Sequence, residues 1–293
     1  MKIWNAELLV QTKLILGEAA IWHPDWAKFL YVDIDGEKVG AIDPQTPRIE
    51  EVNTGKKVGT VVPVSADTLL VALQGSLGLL NFKNGEFKEL TTIEQEITTN
   101  RSNDGKCDPA GRLWVGTMDV NARLHQGALY CFDGNLKKVI DQTSVSNGLC
   151  WTRDHQTMYY IDSFEYNIRA YDFDLKNGLI SNERIVVRTT DTDVIPDGMC
   201  IDEEGMLWVA MWGGGCVNRY DPATGAMIGK VNVGVPLVTS CALGGKNMQQ
   251  LFITTASKGL SEQELMRFPD SGSLFIVDVG VCGLPPNPYQ PKP

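Results

Sequence analysis

The stretch that decides the fold is Asp108-Pro-Ala-Gly-Arg-Leu-Trp-Val-Gly116. It places a four-residue turn before a short apolar run that contains Trp and Val, residue types that favour β-strands. The same unit recurs along the whole chain, with core runs that begin at Phe29, Thr68, Arg112, Met158, Met206 and Gln250. Their starts are separated by 39, 44, 46, 48 and 44 residues, which indicates a structural repeat rather than a set of unrelated strands.

A repeat of this length cannot bury both faces of its own sheet, so it must stack against further copies of itself. The sequence therefore predicts an all-β fold, a six-bladed β-propeller with four-stranded blades around a central channel that binds metal. A strand near residues 3–10 is expected to complete the last blade together with residues 273–279. Residues 1–283 are predicted to form this single domain, and residues 284–293 a Pro-rich C-terminal tail. A pair of β-sandwich domains is the alternative architecture, but no linker-like break near the middle of the chain supports it.

Composition excludes several classes of function. The 293 residues include 26 Lys and Arg against 36 Asp and Glu, a formal net charge of −10, which argues against a nucleic-acid partner. No window approaches the roughly 18 consecutive apolar residues that span a bilayer, so no membrane partner is predicted. The seven cysteines are odd in number, are spread singly and form no Cys-x-x-Cys motif. This pattern is typical of a reduced, cytoplasmic protein.

Polar residues occur at matched positions ten to twelve residues before the second residue of four of the core runs: Glu18, Asn103, Asn147 and Asp197. In a propeller these positions fall at the beginning of each innermost strand, so the four side chains should converge at the mouth of the channel. Asn-Gly and Asp-Gly pairs are most often plain turns. Four polar residues at matched positions of the repeat, however, favour a functional site. Two carboxylates with amide oxygens form a hard oxygen set, which suits Ca²⁺, Mg²⁺ or Mn²⁺ better than structural zinc. Arg101 shares the strand face of Asn103 and could bind substrate oxygens.

Three motifs extend this interpretation: 101–118, 146–151 and 196–208. They resemble the corresponding segments of the family of regucalcin (senescence marker protein 30), gluconolactonase and luciferin-regenerating enzyme, and the similarity runs from about residue 8 to residue 280. The resemblance implies one divalent metal ion in the channel (Ca²⁺, Mg²⁺, Mn²⁺ or Zn²⁺). The matching metal ligands are Glu18, Asn147 and Asp197, and the matching substrate-binding residues are Arg101 and Asn103.

The segment 119–124 departs from the family pattern because it is shorter than in the animal regucalcins. Asn121 stands near the position where those proteins offer a glutamate to the substrate, and it is taken as a third substrate-binding residue. This loop is expected to overhang the channel, so the substrate preference of the relatives does not transfer with it.

The leading functional hypothesis is metal-dependent hydrolysis of a sugar lactone, such as gluconolactone, to the aldonic acid. The substrate is then a small sugar lactone, and Asp197 is the catalytic residue that moves a proton. Two alternatives stay open at this point. The same channel could cleave a phosphotriester, or the protein could be a calcium-binding regulatory protein without a reaction, although a channel site without an EF-hand loop is a poor fit to calcium sensing.

Overall fold

The computed structural model, which describes residues 1–189 and 191–290, arranges its strands in six β-sheets around a central axis. The strands in chain order are β1 (Lys2–Asn5), β2 (Glu7–Val10), β3 (Gly17–His23), β4 (Lys28–Asp33), β5 (Lys38–Ile42), β6 (Ile49–Asn53), β7 (Val58–Ser65), β8 (Thr68–Leu73), β9 (Ser76–Asn81), β10 (Phe87–Thr92), β11 (Asn100–Cys107), β12 (Leu113–Asp119), β13 (Gly127–Phe132), β14 (Leu136–Thr143), β15 (Ser146–Trp151), β16 (Thr157–Asp162), β17 (Asn167–Asp174), β18 (Leu179–Arg188), β19 (Ile195–Ile201), β20 (Leu207–Trp212), β21 (Cys216–Tyr220), β22 (Met227–Asn232), β23 (Val238–Gly244), β24 (Gln250–Thr255) and β25 (Leu274–Asp278). A 3₁₀ turn (Ser163–Glu165) follows β16, and a short helix, α1 (Glu262–Arg267), lies between β24 and β25.

The four strands of each blade form an antiparallel meander whose first strand lies innermost. The blades run β3 to β6, β7 to β10, β11 to β14, β15 to β18, β19 to β22, and β23 to β25 with β2. The innermost strands contact one another in sequence, and β23 contacts β3, so the ring is closed. The predicted six-bladed β-propeller with four-stranded blades is therefore confirmed.

The turn that precedes β12 shows why this stretch of sequence recurs as a structural unit. The Asp108 carboxylate accepts hydrogen bonds from the backbone N–H groups of Ala110 and Arg112 at 2.9 and 3.1 Å, which closes the turn. Its second oxygen accepts from Trp114 Nε1 at 2.9 Å and from Arg112 Nε at 2.6 Å. The buried Trp114 ring is thus fixed by the turn in front of its strand, and Asp202 binds the indole of Trp208 in the same way in the fifth blade.

The first ten residues form two short strands that join two different blades. As predicted, Glu7–Val10 pairs antiparallel with β25 and completes the sixth blade. The assignment of residues 3–5 to the same blade is wrong, because β1 pairs parallel with β22 and adds a fifth strand to the fifth blade. Trp4 packs on Trp208 with ring centroids 5.3 Å apart, so β1 covers an otherwise exposed sheet edge and contributes an aromatic anchor.

Residues 284–290, the first part of the Pro-rich segment, lie across the face of the ring at which the innermost strands end. The Leu284 N–H donates to the Ile201 carbonyl at 3.4 Å, and the Tyr289 N–H donates to the Pro63 carbonyl at 2.8 Å. The Tyr289 side chain is buried and stacks on Phe132 with centroids 5.8 Å apart. Residues 291–293 of the expected tail lie outside the described residues.

Over the described ranges, with position 190 left out, no helix has both the length and the apolar character needed to cross a membrane.

Candidate functional site

A cavity of about 390 Å³ opens at the face where the innermost strands begin. Four of the six blades supply polar residues to its lining: Glu18 from β3, Arg101 and Asn103 from β11, Asn147 from β15 and Asp197 from β19. The structure therefore brings these five predicted site residues together. All five are buried, with exposed fractions of 3 to 6%, so the site is largely withdrawn from bulk water.

The backbone of each contributing strand is irregular at the site. The pairing of β3 with β4 shifts register between Glu18 and Ile21, and equivalent shifts follow Ser102, Ser146 and Pro196 in the other three strands. Ala19, directly after Glu18, has a positive φ of 51°, an uncommon conformation for a residue with a side chain. Bulges of this kind redirect side chains, and here they allow polar residues of strongly twisted strands to point to one axis.

Glycines next to the site residues allow the strands to approach closely. A Cβ atom at Gly148 would lie 2.7 Å from the Asp197 carbonyl oxygen, and a Cβ at Gly198 would lie 2.5 Å from Ser240 Oγ. No side chain fits at either position without a shift of the neighbouring strand. The Asn147-Gly and Asp197-Gly pairs are therefore close-packing positions of the channel wall.

The two carboxyl groups of the site hold their protons unusually strongly. Burial and the nearby charge of Asp104 raise the pKa of Glu18 to about 8, although the Ala19 N–H donates to its Oε2 at 2.9 Å. Burial, the Glu18 charge and the Asp104 charge raise the pKa of Asp197 well above its ordinary value. Such a pair is costly when ionised unless a positive charge lies between its members.

Asn147 is oriented by a hydrogen-bond chain that fixes which end of its amide faces the site. Ser163 Oγ donates to the Pro196 carbonyl at 2.8 Å, so its oxygen is left to accept from Asn147 Nδ2 at 3.0 Å. The Asn147 Oδ1 atom is then buried, with no hydrogen-bond partner among residues 1–189 and 191–290. A buried acceptor without a donor beside two buried carboxyl groups is the arrangement that a hard cation satisfies.

Arg101 and Asn103 form a rigid pair on β11. Arg101 Nη1 donates to Asn103 Oδ1 at 2.6 Å and to the Ser102 carbonyl at 2.9 Å. Asn103 Nδ2 donates to the Ser146 carbonyl at 2.8 Å, which ties the pair to the fourth blade. Burial lowers the pKa of Arg101, but the charges of Asp35, Glu18 and Asp197 act in the opposite direction. The pair thus presents a fixed guanidinium to the cavity.

The five polar residues described above are called the polar floor of the cavity. The remaining walls are mostly apolar and consist of Leu16, Met118, Val120, Ala122, Val145, Phe164, Ile195 and Trp212. Lys258 also reaches the cavity, and it is paired with Asp35 at 2.6 Å.

Asn121 is not among the residues that line the cavity. The Asp119 carboxylate accepts from the Asn121 N–H at 2.8 Å and from Arg123 Nε at 2.9 Å, which folds the loop into a tight turn. Within this turn the flanking Val120 and Ala122 line the cavity, whereas Asn121 is exposed. The loop therefore borders the cavity, but it offers apolar side chains there rather than the amide of Asn121.

Two further residues belong to the site and were missed. Asp104 is buried, its Oδ1 accepts from the Gly105 N–H at 2.7 Å, and its charge acts on both Glu18 and Asp197. Strand alternation places a neighbour of Asn103 on the opposite face, so only the bulge between Ser102 and Gly105 explains this position. Ser163 lies in a 3₁₀ turn outside the repeat, and no pattern in the sequence marks it.

Within the described part of the chain, no group of three or more His, Cys, Asp and Glu side chains is arranged to hold a metal ion. The candidate set differs from such a group because it combines two carboxyl groups with an amide oxygen.

Comparison with known proteins gives concordant results. Residues 16–257 match the family model described as the SMP-30/Gluconolactonase/LRE-like region. Human regucalcin is 40% identical over 281 residues, covering 93% of this chain and 94% of its own length. A crystal structure of regucalcin from Agrobacterium tumefaciens, described as a calcium-binding protein, superposes with a TM-score of 0.95 at 25% identity, covering 99% of both chains. A luciferin-regenerating enzyme superposes with a TM-score of 0.90 at 28% identity, covering 97% of this chain and 99% of its own.

Proposed function

Because this chain belongs to the SMP-30/gluconolactonase/LRE-like family, as its motifs predict, we propose that it is a divalent-metal-dependent lactonase that hydrolyses a sugar lactone to the aldonic acid. One observation carries the proposal: Glu18, Asp197 and the unpaired Asn147 Oδ1 meet in one buried cavity beside a fixed guanidinium. The cytoplasmic location predicted from the cysteine pattern stays a prediction.

Glu18, Asn147 and Asp197 are the residues that would hold the cation. All three offer oxygen, so the set fits Ca²⁺, Mg²⁺ or Mn²⁺, and the name of the Agrobacterium relative favours calcium. When bound, the cation supplies a Lewis acid that polarises a carbonyl oxygen and stabilises negative charge on it.

Asp197 is proposed to move the proton of the reaction. Its carboxylate takes a proton from a water molecule as the water oxygen attacks the lactone carbonyl carbon. It returns that proton to the ring oxygen when the ring C–O bond breaks. Because burial and Glu18 raise the pKa of Asp197, the group can serve as a base at neutral pH only when positive charge in the site favours its ionised form.

Arg101 and Asn103 are proposed to orient the substrate. The guanidinium is held by Asn103 Oδ1 and the Ser102 carbonyl, so it can donate to a substrate oxygen without first being ordered. The apolar wall formed by residues such as Met118, Phe164 and Trp212 excludes water from the space above. Exclusion of water strengthens the electrostatic interactions of the polar floor. Asn121 remains a proposed substrate contact only if the 119–124 loop rearranges when substrate binds.

A panel assay tests the proposal. The protein is stripped with a chelator and supplied with one divalent cation at a time, and hydrolysis of gluconolactone, xylonolactone and a phosphotriester is measured in parallel. Lactone hydrolysis that returns with the cation is the expected result, and we expect Asp197→Asn to abolish it while the variant still melts cooperatively. Cleavage of the phosphotriester alone would refute the lactonase proposal. So would full lactone hydrolysis by Asp197→Asn in the presence of the cation.

Calcium binding without catalysis is the second candidate, favoured by the description of the Agrobacterium relative as a calcium-binding protein. It requires tight calcium binding that alters the structure, with no turnover of any lactone. Calorimetry on the stripped protein, run beside the lactone panel, separates the two functions.

A further inference from the structure

A second cavity of about 300 Å³ lies at the opposite face of the ring, where the innermost strands end. Residues 284–287 form one of its walls, and the ends of β3, β11, β15, β19 and β23 form the others. Its lining includes a lysine and three thiols that the proposed reaction does not use: Lys106, Cys107, Cys150 and Cys200.

Cys200 is one of a close pair of thiols. All seven cysteines are free, and Cys200 Sγ lies 3.9 Å from Cys241 Sγ on the neighbouring innermost strand. The two side chains differ in access, because Cys200 is partly exposed at the cavity whereas Cys241 is fully buried. A disulfide bond needs about 2.05 Å between sulfur atoms, so side-chain rotation must bring the pair about 2 Å closer.

Access to the second cavity favours reaction at Cys200 over Cys241, because only Cys200 of this pair lines it. Burial opposes the charge of Lys106, but Asp104 and the thiols of Cys200, Cys150 and Cys241 raise the pKa of this lysine above its ordinary value. The Lys106 ammonium group is therefore charged at neutral pH, and it lies close enough to these thiols to interact with them electrostatically. Burial raises the pKa of the Cys241 thiol well above its usual range, so Cys241 is the protonated partner.

We propose that Cys200 and Cys241 form an oxidation site, in which hydrogen peroxide entering the second cavity joins them by a disulfide bond between the fifth and sixth blades. The inference does not depend on the proposed lactonase reaction. It rests on the distance between the two sulfur atoms, on the cavity that reaches one of them and on the lysine beside them.

The chemistry balances with peroxide as the oxidant. The Cys200 thiolate attacks one peroxide oxygen, the O–O bond breaks, and the departing hydroxide takes up a proton to give water and a Cys200 sulfenic acid. The Cys241 sulfur then attacks the Cys200 sulfur and the S–O bond breaks. The departing hydroxide takes the Cys241 proton and leaves as a second water. Two thiols are thereby oxidised and one peroxide is reduced.

The test is mass spectrometry of the full-length protein after treatment with hydrogen peroxide. Remaining thiols are alkylated, the protein is digested, and linked peptides are identified. The expected product has lost two hydrogen atoms and two of its seven alkylatable thiols, and it contains a peptide of β19 joined to a peptide of β23. Dithiothreitol should restore both thiols. The oxidised protein should also melt at a higher temperature, because the crosslink restricts the unfolded chain.

Cys150→Ser is the matched control, since it removes another thiol of the same cavity and should leave the crosslink unchanged. Cys200→Ser and Cys241→Ser should each prevent it. The wild-type peptide map decides the question even if a variant at the buried Cys241 fails to fold. Cys200 found as sulfinic acid, Cys200 joined to Cys150, or all seven thiols still alkylatable would each overturn the proposal.

Discussion

The orientation of the Asn147 amide depends on one hydroxyl group, and Ser163→Ala removes it. In the intact protein the Ser163 hydroxyl donates to Pro196 and can therefore only accept from Asn147 Nδ2, which turns Oδ1 toward the proposed cation site. A hydrogen bond of this kind contributes about 1 kcal/mol, which corresponds to about a fivefold preference for one amide orientation. Without it, the amide keeps its hydrogen bond to the Asp197 carboxyl group but loses the contact that holds Nδ2 on the Ser163 side.

We expect Ser163→Ala to weaken divalent-cation binding about tenfold. This estimate allows for the lost fivefold preference and lies at the lower end of the 10–100-fold cost of removing an outer-shell partner. The measurement is calorimetric titration of the stripped protein with Ca²⁺ and, separately, with Mn²⁺. Thermal melting of the metal-free variant shows whether the fold has been retained.

The same titration in an Asn147→Asp variant shows whether the loss of affinity comes from the orientation of the Asn147 amide. A carboxylate offers oxygen in either orientation, so Ser163→Ala should cost no affinity when Asn147 is already replaced. The same tenfold loss in both backgrounds would refute the orientation argument and indicate a general loosening of the channel. Unchanged affinity of the single variant would refute it as well.

Three other predictions follow from the described contacts. Because the pKa values of Glu18 and Asp197 are raised in the folded protein, the metal-free protein should lose stability as the pH rises through about 8, and melting at about pH 6 and about pH 9 should show a difference that a bound cation reduces. Asp108→Ala leaves the buried guanidinium of Arg112 without its carboxylate, and urea unfolding should show a loss of about 3–5 kcal/mol, whereas a loss below about 1 kcal/mol would contradict the assigned role. Tyr289→Ala removes a buried aromatic side chain and should lower the unfolding free energy by about 3 kcal/mol. An unchanged unfolding free energy would mean that residues 284–290 do not stabilise the propeller.

The propeller architecture was predictable because each of the six blades needs an apolar strand that is buried on both faces. Each core run is buried on both faces, so its apolar residues are almost continuous and easily recognised, as in β20 (Leu207–Trp212). The N-terminal segment was only half predictable. Residues 2–5 and 7–10 both read as edge strands, and the choice of blade depends on the ring contact between Trp4 and Trp208, which no local pattern reveals.

The candidate site was predictable only as far as strand alternation holds. Counting back ten to twelve residues from the second residue of a core run finds Glu18, Asn103, Asn147 and Asp197 in four blades. The same alternation excludes Asp104, since a direct neighbour of Asn103 belongs on the other face of a regular strand. The bulge between Ser102 and Gly105 removes that regularity, and Asp104 becomes a third buried acid near the axis.

Asp104 adds a third buried negative charge that the channel must compensate. Glu18, Asp197 and Asp104 are buried together, and each of the first two has its pKa raised partly by Asp104. Lys106 compensates Asp104 from the side of the second cavity, and Arg101 acts on Glu18 from the side of the first. With all five groups ionised, three negative charges face two positive ones, and the remaining negative charge lies among groups that water barely reaches. A cation bound near Glu18 and Asp197 would offset this charge and favour the ionised forms of the acids, which supports the proposed metal site whichever reaction takes place there.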